Sequence, residues 1–272
     1  MDQKTGKTIL CEFCNVLTKN HINGFYRCVT CGNIYNGQYQ TTEYEDSYFE
    51  VEYKKQYGKS YIEDKPDIQK KMQSRLDCIK PYISSFTDKK LLEAGSAAGF
   101  FLEIAREAGF YVKGWEISSY MTKFANQQGN TTIQGNFLNL LEKEHDESYD
   151  VIAAFYVIEH FREQNKIWQG FYRLLKKDGL LLLAMPSFFG PAFYFHKKDW
   201  VKNHPLDHYI DYSPAGIKKV CNLFGLKLLH IYPEGLHPER FLLGNTFFLK
   251  YFYTMIQKTC KFTDTMFVVI QK

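Results

Sequence analysis

The chain has 272 residues, 45% of them hydrophobic and 24% charged, so it can bury a substantial core and is not expected to be disordered. Its formal net charge of +4 falls well short of the concentrated Lys/Arg footprint of a dedicated nucleic-acid binder, and nucleic acid is not the expected partner. The first ten residues are polar and the apolar run 247–256 is broken by Lys250, so we expect no export signal, no membrane span and a cytoplasmic protein.

Four of the seven cysteines fall in two pairs near the start, Cys11-x-x-Cys14 and Cys28-x-x-Cys31, with thirteen residues between the pairs. Two residues between cysteines let both sulfurs of a knuckle face one tetrahedral ion, and two knuckles close an all-thiolate, structural zinc site. Gly32 suits the tight turn of the second knuckle. So short a segment has little core of its own, and metal binding would supply most of its folding energy. Two disulfides or a redox pair are the alternatives, which the absence of an export signal disfavours. Cys78, Cys221 and Cys260 read as small buried hydrophobes.

We therefore expect a zinc ribbon over residues 1–36 and a Tyr-rich, helical cap and linker over 37–88, including an amphipathic helix at 68–83. From residue 89 onward short apolar runs alternate with amphipathic stretches, the pattern of an α/β domain whose parallel sheet is covered on both faces. Strands are expected near 91–94, 111–116, 131–134, 150–155, 180–185, 226–232 and 265–271, with helices at 100–108, 119–128, 138–143, 164–175 and 214–224. Two stretches, 187–213 and 233–263, are inserts rich in Phe and Tyr. The first is long enough to be a lid; the second offers a lid helix, a homodimer face or a membrane-touching patch, in that order.

The first strand runs into Glu93-Ala94-Gly95-Ser96-Ala97-Ala98-Gly99-Phe100, a turn of small residues that lets a ligand touch the backbone at the carboxyl end of the sheet. Glu116 ends the second strand, where a carboxylate can take both hydroxyls of a ribose. The loop is Gly-x-x-x-Gly and not Gly-x-Gly-x-x-Gly, so an adenosine ligand without a phosphate fits better than a dinucleotide.

Residues 93–102, Glu116-Ile117-Ser118, Gly135-Asn136-Phe137 and Tyr149-Asp150-Val151-Ile152 continuing to Val157-Ile158-Glu159-His160-Phe161 resemble, in order and spacing, the successive motifs of class I S-adenosylmethionine-dependent methyltransferases. The likeness is to the small-molecule, ubiquinone-type O-methyltransferases, and it implies a seven-stranded Rossmann-like sheet. By that resemblance Glu93, Gly95, Ala97 and Gly99 would surround the methionine part of S-adenosylmethionine. Glu116 would bind its ribose, with Ile117 also among the cofactor-binding residues; Asn136 and Phe137 would border its adenine, and Phe155 would lie beneath the methyl group with Tyr156 next to it. Ala97 stands where the family usually has glycine and Asn136 where it has aspartate; both substitutes keep the needed size or hydrogen bonding.

Methyl transfer to a hydroxyl needs a proton acceptor, and histidine is poised near neutral pH. His160 follows the fourth strand, and His208 lies in the segment 204–213, which resembles a His-containing segment of the family. His208 is the expected base or positioning residue and His160 the second candidate. The expected activity is methylation of a small-molecule or glycan-type hydroxyl, amine or carbon. An RNA base methyltransferase is the first alternative; the zinc-bearing family of that kind has histidine where this chain has Cys31. A non-enzymatic zinc-ribbon scaffold is the second, opposed by the intact Glu93, Gly95, Gly99 and Glu116.

Overall fold

The computed structural model describes residues 8–41, 53–54, 58–235 and 247–272, with the backbone alone for 247–250. Residues 42–52 and 55–57 of the expected cap and Phe241 lie outside the described residues, as do the side chains of Phe247 and Phe248. The chain divides into two compact units. The cysteine unit takes residues 1–41, 156–168 and 184–270; the glycine-loop unit takes 42–155, 169–183 and 271–272.

The cysteine unit opens with five short strands: β1 (Leu10–Cys11), β2 (Val16–Leu17), β3 (Lys19–Ile22), β4 (Phe25–Arg27) and β5 (Ile34–Asn36). β1 and β2 form a two-stranded hairpin around the first cysteine pair, closed by Asn15 at φ 51°. β3, β4 and β5 are antiparallel neighbours.

In the glycine-loop unit α1 (Lys65–Asp77) starts at Pro66 in its first turn, a position where the missing N–H costs nothing. The expected helix at 68–83 stops earlier because Pro81 cannot continue it, and a 3₁₀ turn, Lys80–Tyr82, follows. Then come β6 (Lys90–Ala94), α2 (Phe100–Glu107), β7 (Tyr111–Glu116), α3 (Ser119–Gln127), β8 (Thr132–Gln134), α4 (Phe137–Lys143) and β9 (Tyr149–Phe155). β6 pairs in parallel with both β7 and β9, and β7 with β8. The chain thus leaves β6 on one side and returns on the other, and the loop after β6 lies at this switch point, where an open α/β sheet binds ligands.

The remaining elements are α5 (Gln164–Leu174), β10 (Leu175–Pro186), α6 (Pro191–Phe195), α7 (Lys197–Asn203), β11 (Ile210–Asp211), α8 (Pro214–Leu223), β12 (Lys227–Glu234), α9 (Phe247–Cys260) and β13 (Thr265–Gln271). The central sheet has seven strands in the order β12-β13-β10-β9-β6-β7-β8, with β10 running from one unit into the other. This is the expected Rossmann-like sheet. β10 begins about five residues ahead of the expected strand, immediately after α5. Leu180 to Met185 on β10, Met266 to Ile270 on β13 and Val151 to Ala154 on β9 are almost entirely buried, as strands covered on both faces must be.

The first insert does not form an isolated lid. Its strand β11 pairs antiparallel with β5 and completes a four-stranded sheet, β11-β5-β4-β3. Phe188 and Phe193 of the insert pack with Phe25 and Ile34 of the strands in one apolar cluster, flanked by Trp200 and Val201. The pairing joins segments about 175 residues apart, and no local signal announces it. The second insert contains α9; no helix among the described residues is long and apolar enough to cross a membrane.

Gly114, midway along β7, sits directly behind the loop that follows β6. A Cβ there would lie 2.6 Å from Ser96 Oγ, 2.7 Å from Leu102 Cδ1 and 2.8 Å from Thr132 Oγ1. Gly114→Ala should therefore destabilise the protein by about 1–3 kcal/mol through overpacking. Chemical denaturation checks this, and a variant as stable as the parent would mean that the loop can yield.

Candidate active site

The loop after β6 turns through three residues with positive φ, Gly95 (70°), Ala97 (45°) and Gly99 (76°). Gly95 and Ser96 both donate to the Trp115 carbonyl, at 2.8 and 3.0 Å, which ties the loop to β7. At the end of β7, Glu116 accepts from the backbone N–H of Ala97 at 2.7 Å and of Ser118 at 2.8 Å. Ser118 in turn caps α3 by accepting from Met121 N at 3.1 Å. One carboxylate therefore fixes the glycine loop and the start of the next helix together. Burial raises the Glu116 pKa, and the N–H donors of Ser118 and Ala97 oppose that rise.

Glu93 is only 4% exposed, and its Oε2 has no hydrogen-bond partner among the described residues. Burial, then the charge of Glu116, holds its pKa well above the usual carboxylate range, with Arg75 pulling the other way. Arg75, on α1, is 1% exposed and sits 4.5 Å above the Phe155 ring. Sequence reasoning passed over it, although a cation beside Leu76 on the apolar side of an amphipathic helix was the available signal. Tyr61 stacks on Phe100 with ring centroids 5.4 Å apart, bringing residues from ahead of α1 against the start of α2.

The other expected donor-site residues fall at the ends of the same strands. Ile117 follows Glu116 and is 45% exposed, an apolar surface open to a ligand. Asn136 caps α4, its Oδ1 accepting from Leu138 N at 3.0 Å and Asn139 N at 3.4 Å. Phe137 packs between Trp115 and Phe171, each 5.9 Å away between centroids. Phe155 ends β9 against Phe101. Tyr156, the first residue of the cysteine unit after β9, adopts φ 58°.

Within the cysteine unit the expected base residues do meet. The edge of the His160 ring lies against His208, with centroids 4.7 Å apart. His160 Nδ1 lies 3.1 Å from the Asp207 carbonyl and 3.4 Å from its carboxylate. Burial opposes charge on His160, but Asp207 and Glu159 together raise its pKa. His208 moves the other way: burial, then the neighbouring charge on His160, pulls it down to about 4. Glu159 is 1% exposed, neither carboxylate oxygen has a hydrogen-bond partner among the described residues, and burial raises its pKa to about 7. His204 pairs with Asp211 at 2.8 Å.

The strands of the cysteine module carry this cluster. Asn36 N donates to the Tyr209 carbonyl at 2.9 Å and Asn36 Nδ2 to the His208 carbonyl at 3.1 Å. Gln40 N donates to Leu206 O at 2.9 Å, and the Tyr39 hydroxyl to His160 O at 2.7 Å. The four cysteines also converge: their sulfurs all lie within 4.8 Å of one another, with Cys11, Cys28 and Cys31 buried. Cys11 Sγ is 3.7 Å from Cys31 Sγ, far longer than a disulfide. A hydrogen bond with Cys31 holds the Cys11 thiol down at about 5, whereas burial and the Cys11 charge push Cys14 up to about 12. Packed thiols resist joint ionisation unless a cation shares the cluster, and this donor set suits a soft divalent ion.

Comparison with known proteins agrees with this architecture. A family model described as a methyltransferase domain matches residues 67–231. A ubiquinone biosynthesis O-methyltransferase of Actinobacillus pleuropneumoniae serotype 7 is 26% identical over 191 residues, 63% of this chain and 80% of that protein. Among solved structures, a SAM-dependent methyltransferase from Archaeoglobus fulgidus superposes with TM-score 0.59 at 15% identity, over 82% of this chain and all of the other. Magnesium protoporphyrin IX methyltransferase from Synechocystis PCC 6803, solved with bound SAH, gives 0.58 at 13% identity, over 84% and 97% of the two chains. Fold and family match together define an S-adenosylmethionine-dependent methyltransferase. The chain belongs to the methyltransferase-domain family whose model it matches over more than half its length.

Proposed function

We propose that the enzyme methylates a hydroxyl of a small-molecule or glycan-type acceptor, with His208 taking the hydroxyl proton. The observation that carries this is the His208 imidazole, held neutral against His160 and anchored through its backbone carbonyl to Asn36. A neutral imidazole is a proton acceptor, and His160 with Asp207 and Glu159 can bear the resulting charge. The O-methyltransferase named among the relatives agrees with a hydroxyl acceptor.

When bound, S-adenosylmethionine supplies a methyl group on an already activated sulfonium. The residues of the glycine-loop unit fit it. Arg75 would pair with the amino-acid carboxylate, and the open oxygen of Glu93 would accept from its ammonium group. The backbone from Gly95 to Gly99 would border the methionine chain, and Glu116 would take the ribose hydroxyls. Ile117, Asn136 and Phe137 would border adenine, and Phe155 and Tyr156 the methyl end. No basic residue occurs between Lys90 and Arg106, which suits a donor with no phosphate. Cys11, Cys14, Cys28 and Cys31 would hold a structural zinc ion in a closed thiolate shell.

Glu116→Ala should weaken S-adenosylmethionine binding by about 10–100-fold in calorimetry, the loss for hydrogen bonds to a charged group; unchanged affinity would remove this assignment. His208→Ala should lower turnover by about 10²–10⁴-fold and leave donor affinity intact. Because the His208 pKa is about 4, its protonation should not lower the parent rate between about pH 8 and 6; a decline there that persists in Glu159→Gln, which removes the neighbouring group that titrates near 7, would reassign the base. Elemental analysis should find about one zinc per chain, lost in Cys28→Ser; a fully folded, metal-free parent would defeat the zinc reading.

A further inference from the structure

We infer that a cleft on the cysteine module is an anion site for the phosphate or diphosphate group of a small-molecule ligand. The cleft is open to solvent and offers about 590 Å³, within the range of small-ligand pockets. Lys19, His21 and Arg27 line it from the first strands, Cys28 and Cys31 from the second knuckle, and Lys219 from α8; no carboxylate and no Phe, Tyr or Trp is among the lining residues.

The charge imbalance extends beyond the cleft wall. No Asp or Glu occurs between Glu12 and Glu43, nor between Asp211 and Glu234, the two stretches that supply the lining. A divalent ion on the four thiolates would leave two negative charges at the cleft wall through Cys28 and Cys31, which Lys19, Arg27 and Lys219 exceed by one; that excess raises the local positive potential, and a bound anion relieves the repulsion among the cations. His21 reports this field, since burial and then the charges of Arg27 and Lys197 lower its pKa.

The cations are also held in place. Arg27 Nε donates to Gly32 O at 3.2 Å while its guanidinium lies 5.5 Å from the Phe188 ring centroid, and Lys219 reaches the Thr30 carbonyl. The ten-residue helix α8 opens here behind its Ser213 cap, adding the positive end of its dipole. Several cations with the Thr30 and Ser213 hydroxyls match a multivalent oxyanion better than a single carboxylate. A concave cleft without aromatic platforms fits a small ligand and not an RNA strand, which would need a basic track and stacking surfaces.

This inference does not rest on the methyl-transfer reading, and donor affinity is measured alongside so that the two can fail separately. Calorimetry of the full chain as purified, with metal content recorded, should show saturable binding of inorganic pyrophosphate. Lys19→Gln/Lys219→Gln should weaken that binding at least about tenfold, since each charged contact is worth ~1.5–3 kcal/mol, and leave S-adenosylmethionine affinity unchanged. The charge-matched Lys123→Gln/Lys227→Gln should bind pyrophosphate as the parent does. In backbone NMR of the parent, pyrophosphate should shift the amides of Asn20, Thr30 and Gly32.

Absent binding by the parent overturns the site, as does equal weakening in both double variants, which would mark non-specific charge attraction. Tighter, pyrophosphate-insensitive binding of a single-stranded oligonucleotide also overturns it, in favour of a nucleic-acid surface. Should the Lys19/Lys219 variant lose its metal, the NMR map of the parent decides: shifts confined to the cleft support the site, and shifts elsewhere refute it.

Discussion

The backbone pairing of Ile34–Asn36 with Ile210–Asp211 is the constraint on which the cysteine unit depends. Two- and three-residue strands are weak alone, and this pair is reinforced on both sides. The Phe25, Ile34, Phe188 and Phe193 cluster packs beside it, and Asn36, Tyr39 and Gln40 bind the carbonyls of the histidine segment and of His160. Backbone groups in a half-buried loop are costly unless satisfied, and here the cysteine module satisfies them. The module therefore acts as a template that sets where His208 and His160 stand.

The glycine-loop unit depends on a different economy of charge. Glu93 and Glu116 are both nearly buried, and Arg75 offsets the rise in the Glu93 pKa only in part. Glu116 offsets its desolvation through backbone donors, which fix the loop as they do so. Glu93 keeps an unpartnered oxygen. Buried polar groups without partners are rare in folded proteins, and such an atom beside a turn of positive-φ residues has the character of a binding group. On the proposed reading, donor affinity and loop rigidity draw on the same carboxylates.

Much of this was legible in the sequence because its signals are local. The period of the apolar runs gave seven strands and the helices between them. The small-residue turn and the acid 21 residues beyond Gly95 marked one end of the sheet, and the cysteine spacing marked the module. What stayed hidden was set by distant partners. Arg75 reads as an ordinary helix residue until α1 is seen to carry it over Phe155. Residues 187–213 read as a lid because nothing in Ile210 or Asp211 says that β5 awaits them. The basic cleft was equally invisible, since Lys19 and Lys219 are 200 positions apart and neither segment alone is strongly charged.

That separation also fixes an order in time. A chain made from its N-terminus presents the first three strands of the module long before residue 210 exists, so the four-stranded sheet closes only after most of the central sheet has been synthesised. The edge of β5 is exposed throughout that interval. Any early clamp on the two cysteine knuckles would preserve it as a landing strip for β11, making the histidine segment one of the last parts of the enzyme to acquire its shape.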